Sequence, residues 1–453
     1  MKKRYLAAAL CLSLSVFTIS GCSAQSTAPA SSESGTAAEG AASTAAADDK
    51  TAGNESITIE VWHTRGAGAN GEMIADSVKE FNETNDKGIT VVETYQGSYT
   101  DTLTKTMQAV SAGTQPAIVV MERAAGVPVM AEQDILADMT PYIEADGFDM
   151  KNFLPVLTGY SYYNDKIVSL PYIRSTPVFY YNKTMFDNAG YTKAPSSFEE
   201  AGEICKKLIA EGKAEQGFEL LNDPAWFVQN MMYQLGSNML SEDGNSAPCL
   251  KDGALLKVLS SWRGWVDEGW CAPFVSTDAE STMKEAFYQQ KLACFIASSG
   301  GLSEVLENSK DFEVGVAQFP SLTDKMSAPT GGGNIGIIDR GNSDEVKAAA
   351  WEFVKFLMSD EQVAKNVERT GYLPTTYSAA KTDTLKNLWL KTPQYKVSYN
   401  QLETAQELPW SPYKADFEEL LKEYCSYVIQ DKTYTPEQAV AEITENAKII
   451  FPR

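Results

Sequence analysis

Histidine occurs once in this chain, at His63, and no two of the seven cysteines stand at the close spacing of a zinc site. A metal centre is therefore not expected, and nothing else in the sequence implies a cofactor. The same scarcity leaves a Ser-His-Asp triad only His63 to recruit, and no G-x-S-x-G elbow is present. Positive charge is also short: 38 Lys and Arg face 60 Asp and Glu, for a net charge of -22. Such a chain is repelled by a phosphate backbone, so a nucleic-acid partner is not expected. Long apolar runs are missing beyond the first 20 or so residues, which excludes a later membrane-spanning helix. Sixty carboxylates satisfy a glycosidase pair by number but single out none. The chain is read as a non-enzyme.

What is present begins with Lys2, Lys3 and Arg4, an apolar stretch from Tyr5 to Ile19, and Ser20-Gly21-Cys22. A basic start, a short apolar run and small residues make a secretory signal over residues 1–21. Cysteine directly after small residues resembles a bacterial lipobox, with Cys22 as the lipid-bearing first residue of the mature chain; the plainer alternative is an ordinary signal with a chance cysteine. Residues 22–54 are mostly Ala, Ser, Thr and Gly. They bury too little to offset their ordering entropy, so they read as a flexible tether reaching about 30 Å. The layout suits a secreted protein held at the outer face of a cell membrane by its lipid alone. Without Cys11 and Cys22, five cysteines remain: Cys205, Cys249, Cys271, Cys294 and Cys425. A Cys249–Cys271 disulfide and buried free thiols are both open outside the cell.

About 400 residues follow, enough for two or more domains. Ile57, Ile59 and Val61 alternate with polar residues as in a strand, and Met73, Ile74, Val78 and Phe81 recur at helical spacing. A strand from Ile89 to Tyr95, a helix from Tyr99 to Ala112 and a buried strand from Ala117 to Met121 come next. This alternation predicts an α/β fold with parallel sheets covered by helices. Ser197…Glu200, Ser359…Gln362 and Thr435…Gln438 have the capping-box spacing of helix starts. Gly66-Ala67-Gly68-Ala69-Asn70-Gly71 fits G-x-G-x-x-G between a strand and a helix. Polar His63, Thr64 and Arg65 precede it, and soluble nicotinamide cofactors are scarce outside the cell, so a dinucleotide site is not expected; the motif reads either as a glycine-rich turn and no more or as a helix N-terminus that helps hold an anion or hydroxyl.

Several segments then occur in order: Val61-Trp62-His63, Thr94 to Tyr99, Pro116-Ala117-Ile118, Ser175 to Lys183, Ala297-Ser298-Ser299-Gly300, Thr370 to Pro374, and Thr435 to Ala439. Together they resemble the extracellular solute-binding proteins of ABC importers, and within them the glycerol-3-phosphate and glycerophosphodiester branch of the carbohydrate-binding group. The likeness spans Ile57 to Phe451. It implies a two-lobed periplasmic-binding-protein-like fold with a hinge near Ser175 to Val178, near Gly331 to Ile335 and after Tyr377. The N-terminal lobe would hold residues 55–176 and 331–377, the C-terminal lobe 177–330 and 378–453. It further implies a monomer that closes on a small carbohydrate, polyol or glycerol-phosphate ligand and docks on ABC permease subunits.

The resemblance carries ligand contacts onto Tyr99, Glu122 or Arg123, Ser175, Ser298, Gly332 and Tyr372. Their chemistry suits hydroxylated ligands: tyrosines offer a face and a hydroxyl, and serines donate and accept. Gly331-Gly332-Gly333 allows close backbone approach. Trp62 and Trp226 are candidates to stack on a sugar face. The arginine that grips phosphate in the glycerol-3-phosphate branch falls on Tyr413, within Pro409-Trp410-Ser411-Pro412-Tyr413-Lys414. Lysine is not equivalent to a planar two-pronged donor, so Tyr413 and Trp410 suggest a stacking platform for a neutral sugar. The alternative keeps a glycerol phosphate, with Arg174 or Arg123 as the substitute clamp. A surface adhesin or glycan-acting enzyme on the same scaffold is a remote third reading.

Overall fold

The computed structural model describes residues 56–274 and 278–452; Cys22, the signal and the whole tether over residues 22–54 lie outside them. Two five-stranded sheets organise the described body. The first has the order Ile89–Tyr95, Ile57–His63, Ile118–Glu122, Gly331–Ile337, Leu170–Ser175. The second has the order Val314–Ala317, Pro177–Asn182, Leu292–Ser298, Gln216–Glu219, Cys271–Ala272.

Local sequence explains the elements at the site. Ile59 and Val61 are buried while Thr58 is exposed, the period-2 pattern of a half-buried strand. Ser98 caps the helix Tyr99–Ala112 in a reciprocal box with Asp101, and left-handed Gly113 ends it. Thr435 and Gln438 form the same box at the last helix, and Ser197 and Ser359 accept from the backbone N–H groups of Glu200 and Gln362. Pro177 opens its strand, where a missing N–H is tolerated.

The expectation of parallel sheets needs correction. In each sheet four strands run in one direction, and the fifth runs antiparallel to both of its neighbours. In the first sheet that strand is Gly331–Ile337, which enters after the chain has passed through the second sheet. Periodicity within single strands carries no signal of this reversal.

Each sheet has its own core. Ile59, Val61, Ile118, Ile335 and Ile337 pack with Ile74, Phe81 and Phe353 from helices. Phe179, Phe218 and Ile296 pack with Leu255, Trp262, Phe417 and Leu421, while Val178, Tyr180 and Phe295 face the opposite way. Only Thr176 separates the first-sheet strand ending at Ser175 from the second-sheet strand beginning at Pro177. Within the segment 331–377, assigned to the first lobe by the resemblance, the helix Asp360–Thr370 departs. Its Ala364 and Val367 join the core around Tyr180 and Phe295. All five described cysteines are buried free thiols. Cys249 and Cys271 are not joined; the close pair is Cys205 and Cys294, with sulfurs 3.5 Å apart.

Candidate functional site

Gly331, Gly332 and Gly333 start the strand that follows the second sheet, and the candidate residues gather on either side of them. Gly332 has φ +88°, a left-handed conformation that favours glycine. A Cβ at Gly331 would collide with the Trp226 ring, and one at Gly333 would meet the Tyr99 hydroxyl at 2.8 Å. The triglycine thus lets two aromatic side chains approach the backbone from two directions.

On the Tyr99 side, the loop after the first strand bends sharply, because Gly71 packs on the Gly66 carbonyl where no side chain fits. This steric need accounts for Gly71 of the G-x-G-x-x-G pattern, while a Cβ at Gly66 would meet the Tyr95 ring at 3.3 Å. His63 fixes the loop: Nδ1 accepts from the Arg65 N–H at 3.2 Å, so the ring proton sits on Nε2, 2.6 Å from Glu93 Oε2. Arg65 Nη2 donates to the Tyr99 hydroxyl at 2.7 Å, and the guanidinium lies 5.1 Å from the Tyr99 ring and 5.7 Å from the Tyr372 ring. Burial opposes the Arg65 charge, but the Tyr372 and Tyr99 oxygens, with a smaller contribution from Glu280, outweigh it and hold its pKa above the usual arginine range. Tyr372 is buried and packs against Gly300, and Asn70 Nδ2 donates to the Gly300 carbonyl at 3.3 Å. That bond joins the helix Ala69–Thr84, packed on the first sheet, to the end of a second-sheet strand.

On the Trp226 side lies a charged network. Arg123 donates to Glu122 at 2.5 Å and to the Thr330 carbonyl, and lies 3.3 Å from Glu407. Its guanidinium sits over the Tyr160 ring at 5.8 Å. Arg174, fully buried, donates to the Gly331 and Leu157 carbonyls, Asn334, Thr330 and Glu407. Lys414 reaches into the same region, 3.9 Å from Glu122 and 2.8 Å from Glu418. Burial alone would raise the Glu122 carboxyl, but Lys414, Arg123 and the Ala125 and Ala124 N–H groups hold it below the usual range. Asp223 goes the other way, pushed up to about 7 by burial and by Glu418.

Tyr99, Tyr372, Glu122, Arg123, Trp226, Gly331 and Gly332 are thus brought together around one strand start. Ser175 is buried opposite Gly331 in the sheet. Ser298 is half-buried, its hydroxyl accepting from the Gly300 N–H at 3.1 Å. Trp62 is half-buried with its Nε1 enclosed and unpartnered.

Three candidates are placed elsewhere. Arg174 directs its whole donor fork at protein acceptors, so it holds the hinge strands and is not a spare phosphate clamp. Trp410 stacks on Tyr160 and Tyr163, with centroids at 5.8 and 5.3 Å, and donates to Glu132. Tyr413 packs edge-on against Phe451 at 5.8 Å. These two do not form a common platform; at the start of the helix Lys414–Gln430 it is Lys414 that faces Glu122. The residues that sequence reasoning missed are Arg65, Tyr160, Asp223 and Glu407, which come from separate parts of the chain. Only Arg65, a cation directly after the first strand, left a local trace.

A family described as bacterial extracellular solute-binding protein matches residues 76–393. The sn-glycerol-3-phosphate-binding periplasmic protein UgpB of Brucella melitensis is 28% identical over 345 residues, covering 73% of this chain and 78% of that protein. In fold, the chain is similar to UgpB from Mycobacterium tuberculosis solved with glycerophosphocholine: TM-score 0.76, 20% identity, 87% of this chain and 98% of that one. It is equally similar to the GacH receptor of Streptomyces glaucescens, solved with acarbose: TM-score 0.76, 21% identity, 87% and 98% coverage. A match spanning well over half of the sequence, on a fold of two sheet-centred lobes, makes this chain a member of the bacterial extracellular solute-binding proteins.

Proposed function

We propose that this protein is the receptor of an ABC importer, a lipoprotein attached through Cys22 that captures a small hydroxylated ligand by closure of its two lobes. The observation that carries the reading is the triglycine start of the Gly331–Ile337 strand, flanked by Tyr99 on one side and Trp226 on the other. Aromatic faces, hydroxyls and open backbone at one point suit a sugar or polyol. Helix and strand ends from both sheets meet there, so a ligand held by both stabilises the closed arrangement relative to the open one. The relatives named for sn-glycerol-3-phosphate support a second reading, a glycerol phosphate. Arg174 is spent within the hinge, so that reading needs another cation.

A thermal-shift screen of the full mature chain against maltose, maltotriose, sn-glycerol-3-phosphate and glycerophosphocholine tests this. A ligand at a hundredfold excess over its Kd adds about 2.7 kcal/mol of stability. A shift that disappears in Trp226→Ala supports the site; no shift with any of the four counts against it. Release of Cys22→Ala protein into the medium tests the anchor.

A further inference from the structure

We propose that Arg65 is the seat for an anionic group of the ligand, the phosphate of a phosphate ester or the carboxylate of a sugar acid. The inference rests on the solute-binding reading above and specifies one subsite of it.

The first argument is charge balance. Arg123 and Arg174 share Glu407, and Arg123 also has Glu122. Arg263 has Asp267, and Arg369 has Glu72 and Asp76. Among the described residues only Arg65 and Arg340 have no carboxylate within 4.0 Å, and Arg340 is exposed. Arg65 is half-buried between two tyrosine rings, and its one hydrogen-bond partner is the neutral Tyr99 hydroxyl. The one carboxylate that acts on it from farther off, Glu280, is itself paired with Lys284 at 2.9 Å, and a guanidinium taken out of water without a direct counter-charge is costly. Beyond the triglycine, Glu122 and Glu407 are already matched by Arg123, Arg174 and Lys414.

The second argument is independent of charge. The enclosed Nε of Arg65 has no partner, and the same holds for Trp62 Nε1, Thr64 Oγ1 and Asn70 Oδ1. An unsatisfied enclosed polar atom costs about 1–3 kcal/mol. Four of them within residues 62–70 mark a loop whose polar groups are arranged for something other than the protein. The guanidinium lies over the Tyr99 and Tyr372 rings, Nη2 is engaged by the Tyr99 hydroxyl, and the Nε side of its planar edge has no partner. That planar edge matches two oxygens of a phosphate or carboxylate.

Calorimetric titration of the full mature chain with sn-glycerol-3-phosphate, glucuronate, maltose and glycerol tests the seat. At least one anionic probe should bind. Its affinity should fall about 10- to 100-fold in Arg65→Gln, the loss of a charge-assisted pair, and recover in part in Arg65→Lys. Maltose, if bound, should keep its affinity in both variants. Wild-type affinity for the anion should also weaken with added salt, a readout that needs no variant to fold. Preference for glycerol-3-phosphate assigns a phosphate ester, and preference for glucuronate a sugar acid. Binding of maltose or glycerol with neither anion, or an anion bound equally well by Arg65→Gln, overturns the seat and leaves the solute-binding reading standing. No binding by any of the four overturns both.

Discussion

Arg174 Nη2 and Glu407 Oε1 lie 2.6 Å apart, with the arginine fully buried and the glutamate nearly so. Glu407 also lies 3.3 Å from Arg123 and accepts from the Gly159 N–H at 2.9 Å. One carboxylate from the late part of the chain is therefore the shared counter-charge of two buried guanidiniums beside the strand crossing, with Glu122 serving Arg123 as well. Glu407→Gln leaves both arginines without that charge. Breaking a buried pair from one side costs about 3–5 kcal/mol. Urea unfolding should show a loss of that size. A loss under 1 kcal/mol would mean that solvent reaches the pair and that it does not lock the crossing.

Lys414 and Tyr413 are adjacent in sequence yet face different surroundings, Glu122 and Phe451 respectively. Burial works against the Lys414 charge, but Glu122 and Glu418 hold its pKa above the ordinary lysine value. Lys414→Met should weaken ligand binding about 10-fold or more by unbalancing Glu122. Tyr413→Leu, which removes the aromatic face, should leave the ligand Kd unchanged, since the Tyr413 ring packs against Phe451. Calorimetry on the two variants separates the roles, and the reverse ranking would restore Tyr413 as the ligand-facing residue.

This pair also shows how far the sequence could be read. Strand and helix positions around Tyr99 follow from period and capping, both local, and Ile89–Tyr95 and Tyr99–Ala112 fall where the pattern places them. The triglycine and its aromatic neighbours were visible through the family resemblance. Which of two neighbouring residues at a helix start points inward depends on the turn before it, here Ser411 accepting from the Tyr413 N–H. The Arg174–Glu407 pairing spans 233 positions and is set only by how these two distant segments meet at the hinge. Arg65 was legible as a cation after the first strand; its lack of a carboxylate was not.

Glu219 ends the strand Gln216–Glu219, 5% exposed, and burial pushes its pKa up to about 7. The unfolded carboxyl titrates near 4.3. Between those values the folded state binds the extra proton, so stability falls as pH rises from about 4 to 7. Glu219→Gln removes this slope. The variant should match wild type near pH 4 and exceed it above pH 7 by about 1–3 kcal/mol. Melting curves of both proteins from pH 4 to 8 check this; parallel curves would mean that the carboxylate is solvated in the folded protein.

The lips of the two lobes meet through charge. Arg369, on the helix whose Ala364 and Val367 pack in the second core, bridges Glu72 and Asp76 at 2.8 Å each, and Lys365 bridges Glu80 at 2.8 Å. The partners lie on the helix Ala69–Thr84, packed on the first sheet. Exposed pairs contribute at most about 1 kcal/mol each and are screened by salt. Arg369→Ala with Lys365→Ala should therefore shift the ligand-free protein toward the open arrangement by no more than about 3 kcal/mol, on the order of a 150-fold change in the ratio. Small-angle scattering should give a larger radius of gyration for the double variant. Wild type should approach that value as salt rises, because screening weakens the same contacts. Ligand affinity should drop in step, since binding must then supply the closure that the bridges had favoured. A radius unchanged by both mutation and salt would place the bias toward closure on the Asn70–Gly300 contact and the hinge instead.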